Sequence, residues 1–171
     1  MMLITSVPAG SKSKYQEVLS EMGKITDHIT AKGFGRVLVI SGHRGDRVHE
    51  LIEKKMAEEG MLNGVVLSGI ATFQKFHYHH IKNADPVPFD EIRTTDGAFE
   101  VTALQGVILN GKAHLHAAAQ DHYTTIIGHV ERDTEILYLA EIVVAELLLD
   151  QKAERIKVDE GFNQYEIEDS P

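Results

Sequence analysis

Ten histidines are the residues of this chain with the most obvious chemistry, because imidazole binds transition metals and moves protons near neutral pH. They are densest in the segment 77–80 and at His114 and His116. In a β-strand, residues i and i+2 point to the same face, so His114 and His116 would project together. Two imidazoles on one strand face form half of a metal site.

Hairpin geometry supplies a third ligand. If the strands on either side of a two-residue turn at Asp121 and His122 pair, His114 lies directly opposite His129. Opposed residues share a sheet face, so His114, His116 and His129 would converge. A loop of two or four residues preserves this shared face, whereas a loop of three sends His129 to the other side. The sequence therefore predicts a three-histidine site that depends on an even-length turn.

Three neutral imidazoles with one open position are typical of catalytic rather than structural zinc. Such a zinc lowers the pKa of its bound water to about 7 or polarises a carbonyl or carboxylate oxygen. Gly128 is expected to leave room for the metal or a substrate beside His129. Cobalt, nickel or iron would also accept three imidazoles. The structural alternative stays open, since paired histidines are common without a metal, and a half-buried strand explains His77 and His79 better than ligation does.

One helix and several strands must position these groups. A helix is predicted over about residues 46–60, with Asp46 as its cap and Gly60 after its last turn. His43 and His49, near its start, are expected to be surface or capping residues.

Strand-like patterns occupy most of the remaining chain. They cover residues 37–40, 65–79, 99–109, 112–119, 124–130 and 136–149. Asn110-Gly111 predicts a hairpin with a type I′ turn, and the prolines in 85–88 interrupt the second strand. The last segment is ambiguous, and a long strand ending in a helical turn is preferred. The order predicts an α+β fold with a mostly antiparallel β-sheet and one main amphipathic helix.

Composition excludes several classes of protein. The chain has 171 residues, 43% of them hydrophobic, which suffices for one core. It has no cysteine, so it holds no disulfide, Cys nucleophile or Cys-based zinc site. It contains no membrane-length apolar run, and its start does not resemble a signal peptide. We therefore expect a soluble, cytoplasmic protein with no membrane partner.

Charge is distributed unevenly along the chain. The net charge is -9, and residues 131–171 contribute -8 of it, with 12 acidic and four basic residues. We expect an N-terminal extension over residues 1–33, with a short helix near residues 14–22, then a main domain over 34–150. Residues 151–171 are expected to form a solvated acidic C-terminal tail.

From about Arg36 to Leu148 the chain resembles the plant- and prokaryote-conserved (PPC) domain family. The matching segments are RVLVISGHRGDRVHELIEKKMAEEG, GVVLSGIATF, VTALQGVILNGKAHLHAAAQD and IIGHVERDTEILYLAEIVVAEL, of which KAHLH…IGH is the most specific. The resemblance implies a homotrimer of α+β subunits. In prokaryotic members it also implies a metal, typically zinc, held by the residues that correspond to His114, His116 and His129.

The family has no general activity, so two classes of function remain open. One is a metal-binding homotrimeric module, with a regulatory role, that binds a small anionic ligand or a partner protein. It predicts a metal whose fourth position is buried or filled by a protein ligand such as His79, with no base nearby. The alternative is a zinc-dependent lyase or hydrolase acting on a small oxygenated acid, which predicts an acid/base group and a cation near an open metal.

The enzyme hypothesis draws on a similarity of fold and His-x-His…His pattern to acetolactate decarboxylase. No motif of this chain matches the catalytic Glu and Arg of that enzyme, and Glu131 and Arg93 are the residues considered for those roles. No catalytic residue is assigned, and no cofactor besides the metal is expected. Direct DNA binding is disfavoured, because the chain has no Arg-Gly-Arg hook and its net charge repels phosphates.

Overall fold

Nine strands and one helix make up the described part of this computed structural model, which covers residues 24–26, 28–85, 88–157 and 163–168. The elements are β1 (Lys24–Thr26), β2 (Ala31–His43), α1 (Val48–Glu58), β3 (Gly64–Ile81), β4 (Asp90–Leu109), β5 (Lys112–Gln120), β6 (Thr125–Val130), β7 (Glu135–Leu149), β8 (Lys152–Lys157) and β9 (Asn163–Glu168). Within these ranges, no helix combines the length and apolar character needed to cross a membrane.

The strands form two antiparallel sheets. A six-stranded sheet has the order β2-β7-β3-β4-β5-β6, and a three-stranded sheet has the order β1-β9-β8. The far end of β3 also pairs with β6, through Tyr78 with Val130 and His79 with His129. Strands β3, β4, β5 and β6 therefore close into a ring. The predicted α+β class, with a mostly antiparallel sheet and one main helix, is confirmed.

Helix α1 connects two strands that run in the same direction, since β2 and β3 both pair antiparallel with β7. Val48, Ile52 and Met56 lie four residues apart on one helix face, and each is fully buried. They join a core that contains the large aromatic side chains Phe73 and Phe76. Burial of this apolar stripe fixes the helix against the sheet.

The predicted end of the helix is confirmed, and its predicted cap is wrong. Gly60 has φ +70°, and the N–H of Met61 donates to the carbonyl oxygen of Met56 at 2.8 Å, as in a Schellman motif. Asp46 does not cap the helix, because its carboxylate accepts the backbone N–H of His43 at 2.8 Å. Arg47 occupies the N-cap position without a side-chain bond.

The hairpins follow the predicted order, and two strands differ in extent. Asn110 and Gly111 have φ values of 48° and 72°, as the predicted type I′ turn requires. Strand β4 begins at Asp90 rather than at Phe99. The sequence pattern missed its start because these residues are polar, mostly exposed and show no apolar alternation. β7 stays a strand to its end, without the helical turn that was preferred, because it pairs with both β2 and β3.

Strands also occupy the segments outside the predicted main domain. β1 lies in the predicted N-terminal extension, and β8 and β9 lie in the predicted acidic tail. Ala153 is buried, and Glu154 pairs with Lys112 at 3.3 Å, so β8 packs on the main domain. The prediction of a solvated tail is therefore wrong for β8. The domain limits 34–150 stay a prediction, and the helix expected near residues 14–22 lies outside the described residues.

His49 is buried on α1, with only 3% of its surface exposed, so its placement at the surface or as a cap is wrong. Burial, reinforced by the positive charge of Arg132, lowers the pKa of His49 to about 4. The nearby carboxylates of Glu53, Glu131 and Glu50 oppose this shift of the pKa without cancelling it. The Nδ1 atom of His49 has no hydrogen-bond partner in the described structure. The imidazole is therefore held neutral at pH 7 by the helix–sheet interface.

This burial predicts a pH-dependent free energy of unfolding. Between pH 6.5 and about 4, the unfolded chain binds a proton at His49 that the folded chain does not. The contribution of His49 to the free energy of unfolding is therefore complete above pH 6.5. It falls by roughly 3 kcal/mol as the pH drops to about 4. We expect His49→Leu to reduce this slope in urea unfolding, with the exposed His43→Leu as the control. Equal slopes for wild type and His49→Leu would contradict the prediction.

Candidate metal centre

Two adjacent strands bring the three predicted ligands to one place. His114 and His116 lie on β5, His129 lies on β6, and His116 is directly opposite His129. The predicted opposition of His114 and His129 is wrong by two residues. The shared face survives because the side-chain period of a strand is two.

The register shift comes from the loop between these strands. It has four residues, 121–124, instead of a two-residue turn, and its closing pair is Gln120 with Thr125. The Asp121 carboxylate accepts the backbone N–H groups of Tyr123 and Thr124 at 2.8 and 2.7 Å. This side-chain bonding to the following backbone stabilises the longer loop. His122 lies in this loop and is exposed, as predicted for a turn residue.

The donor atoms of the three histidines are close enough for one ion. One ring nitrogen from each of His114, His116 and His129 lies within 4.8 Å of the other two. The Nε2 atoms of His114 and His116 are 3.2 Å apart. Two nitrogens on a tetrahedral zinc, each about 2.0–2.1 Å from the metal, are about 3.3 Å apart. The spacing therefore suits either an N–H···N hydrogen bond or two ligands of one metal.

The surroundings favour neutral imidazoles with free lone pairs. Burial, and then the positive charge of Arg155, lowers the pKa of His114 to about 4. Burial and the neighbouring imidazoles of His79 and His114 lower the pKa of His129 to about 4 as well. Burial and His79 also lower the pKa of His116. Neutral imidazole is the form that binds metal, so this donor set fits a divalent transition metal such as zinc.

A fourth histidine and a carboxylate lie beside this cluster. The ring of His79, on β3, stacks on His129 with centroids 4.3 Å apart, and its Nδ1 lies 2.6 Å from Oε1 of Glu131. Although burial opposes it, the hydrogen bond from His79 and the nearby imidazoles lower the pKa of Glu131. The carboxylate is therefore ionised and accepts the Nδ1–H of His79. His79, His129 and Glu131 form a second set of possible metal ligands that shares His129.

Gly128 has a different role from the predicted one. A Cβ atom at this position would lie 2.6 Å from the backbone carbonyl oxygen of His79. The glycine therefore allows β3 to approach β6 closely, and the space beside it is occupied by backbone instead of a metal or substrate. The neighbouring Ile127 is 70% exposed, so its side chain does not tighten the site.

An open cleft of about 510 Å³ borders the cluster. His114, His116 and Arg155 contribute its polar groups together with Gln105, and the strand ends around Val65 and Val107 contribute apolar surface. The cleft thus combines two of the predicted ligands with a cation. Sequence reasoning missed Arg155, because it lies on β8, in the segment predicted to be a solvated tail.

The remaining candidates lie elsewhere. The backbone carbonyl of His77 accepts a hydrogen bond from the hydroxyl of Thr134, at 2.8 Å. Among the described residues, the side chain of His77 belongs to neither set of possible metal ligands. Arg93 pairs with Glu91 at 2.9 Å at the mostly exposed start of β4, so its suggested place in the site is not supported. The guess of Glu131 does place a carboxylate next to the cluster.

Solved structures share this fold. A plant- and prokaryote-conserved (PPC) protein from Pyrococcus horikoshii is 21% identical with a TM-score of 0.65, covering 84% of this chain and 97% of that one. The metal-containing protein AF0104 from Archaeoglobus fulgidus is 15% identical with a TM-score of 0.66, covering 81% and 97%. A protein from Bacteroides thetaiotaomicron named for a proposed DNA-binding role is 20% identical with a TM-score of 0.63, covering 81% and 96%.

These identities are low, so the structural likeness establishes the fold alone. No curated protein sequence is significantly similar to the chain. Residues 29–148 match the sequence model of the Plants and Prokaryotes Conserved (PCC) domain. Because this match covers well over half of the 171 residues and agrees with the fold, the chain belongs to the plant- and prokaryote-conserved domain family.

Proposed function

We propose that this protein binds one transition-metal ion, preferably zinc, through His114, His116 and His129, and acts as a metal-dependent module that binds a small anionic ligand. The convergence of three neutral imidazoles within 4.8 Å carries the proposal. The cleft beside them adds the positive charge of Arg155. A bound zinc would supply a Lewis acid for an oxygen atom of the ligand. The metal content of the Archaeoglobus fulgidus neighbour supports the assignment.

A second candidate function is a zinc-dependent lyase or hydrolase acting on a small oxygenated acid. The hydrogen-bonded pair of His79 and Glu131 favours it, because such a pair can hold and transfer a proton beside the ligand. Turnover of 2-oxo or 2-hydroxy acids by the zinc-loaded protein would separate an enzyme from a binding module. Direct DNA binding stays disfavoured by the net charge of -9.

We also propose that the chain assembles as a homotrimer. Its apolar outer face, which we define as Val37, Val39, Ile70 and Leu139, lies on adjacent strands of the six-stranded sheet and is exposed in the single chain. Strand β2 is also an end strand of that sheet among the described residues. Exposed apolar side chains beside an unpaired edge are typical of a surface that associates with other chains.

The cytoplasmic location stays a prediction.

The metal content of the purified protein tests the main proposal. We expect about one zinc per chain by inductively coupled plasma mass spectrometry, after metal removal, reloading with zinc and desalting. His122→Ala, in the exposed loop, serves as the control for removing a histidine. A wild-type protein that retains no zinc, cobalt or nickel after this treatment would disprove the three-histidine site.

A further inference from the structure

Arg155 enters the cleft from outside the family domain. It lies on β8, beyond residues 29–148, where Ala153 is buried and Arg155 is two residues further along the same strand face. The side chain borders the cleft together with His114 and His116. Its positive charge is also close enough to His114 to help lower the pKa of that imidazole.

Arg155 differs from most other arginines of the chain in its partners. Arg36, Arg47, Arg93 and Arg132 each pair with a carboxylate. Among the described residues, no carboxylate lies within 4.0 Å of the Arg155 guanidinium, although the side chain is partly buried. Its neighbour Glu154 is engaged by Lys112 instead. As far as the described residues go, the fork of N–H donors of Arg155 is therefore left for an oxyanion from solution.

The cleft selects among oxyanions by its charge and lining. One guanidinium matches one carboxylate through two parallel hydrogen bonds, and Arg155 is the single Lys or Arg among the residues that line the cleft. Val65 and Val107 give the cleft apolar walls that suit a short hydrocarbon chain. The amide of Gln105 adds one further polar contact.

We propose that Arg155 binds the carboxylate of a small, branched or linear 2-oxo or 2-hydroxy acid, whose second oxygen faces the three-histidine site. This inference rests on the proposed metal site. It makes a strand beyond the residues that match the family model part of the binding site.

Isothermal titration calorimetry with 2-oxoisovalerate tests the inference on the zinc-loaded protein. We expect Arg155→Gln to weaken binding by about 10- to 100-fold, the usual range for losing a charge-assisted contact, and to retain the wild-type zinc content. Arg155→Lys, which keeps the charge but loses the fork, should bind with intermediate affinity. Arg36→Gln, which removes an arginine away from the cleft, is the matched control and should bind as wild type does.

Two further probes identify what Arg155 recognises. The neutral ketone 3-methyl-2-butanone, which lacks the carboxylate, should bind weakly and equally to wild type and Arg155→Gln. Inorganic phosphate should bind less tightly than 2-oxoisovalerate, and the opposite order would overturn the choice of a carboxylate. If zinc binds but Arg155→Gln leaves the affinity for 2-oxoisovalerate unchanged, the role of Arg155 is wrong and the metal site stands. If wild type binds no metal, the proposed function fails and this inference fails with it.

Discussion

His129→Ala is expected to lower the affinity for zinc by at least about 100-fold. The rings of His114, His116 and His79 all lie against His129, with centroids 4.7, 5.3 and 4.3 Å away. Zinc sites in proteins bind with roughly 10–16 kcal/mol, so each of three protein ligands contributes about 3 kcal/mol or more. This corresponds to a factor of about 100 in the dissociation constant. Loss of His129 also removes the ring on which His79 stacks.

A competition titration against a chromophoric zinc chelator measures this effect. His122→Ala, which removes an exposed histidine from the loop beside the same strands, should keep the wild-type affinity. Thermal unfolding of both metal-free variants shows whether the fold is retained. His114→Ala provides a second variant if His129→Ala proves unstable. Wild-type affinity in folded His129→Ala would mean that the metal is held elsewhere.

Val39→Asp is expected to convert a trimer into single chains. Val39 is 72% exposed on the apolar outer face, so a carboxylate there is tolerated in an isolated chain. In a homotrimer the same substitution would place three carboxylates in apolar interfaces, where unpaired charge is strongly unfavourable. By native mass spectrometry the mass should fall from roughly 57 kDa, three times the 19.0 kDa of one chain, to that of a single chain.

Tyr123→Asp is the matched control for this experiment. Tyr123 is 95% exposed in the loop between β5 and β6, so an added charge there should leave the assembly unchanged. A wild-type protein with the mass of one chain would disprove the homotrimer. A Val39→Asp variant that stays trimeric would place the interface on another surface.

Local sequence rules predicted the features that depend on neighbouring residues. The alternation of residues 112–119, the Asn110-Gly111 turn and the glycine after the helix are each confirmed within a residue or two. These features follow from the strand period, the helix period and the few residues that accept positive φ. The common face of His114, His116 and His129 followed from the same rules, since any even-length loop preserves it.

Tertiary structure decided the features that depend on distant segments. The Asp121 carboxylate selected a four-residue loop, and with it the register of β5 and β6. Pairing of β3 with β6 brought His79 to Glu131, which is 52 residues away in sequence. The helix–sheet interface buried His49.

The chain by itself therefore determined its strand and helix types, its family and the three histidines that share a face. Only the tertiary structure decided their environment, which includes the His79 and Glu131 pair and Arg155 from β8. The physical reason is that local periodicity fixes which way a side chain points from its own strand. Its neighbours are set by closure of the sheet and packing of the terminal strands, and these depend on the free energy of the whole fold.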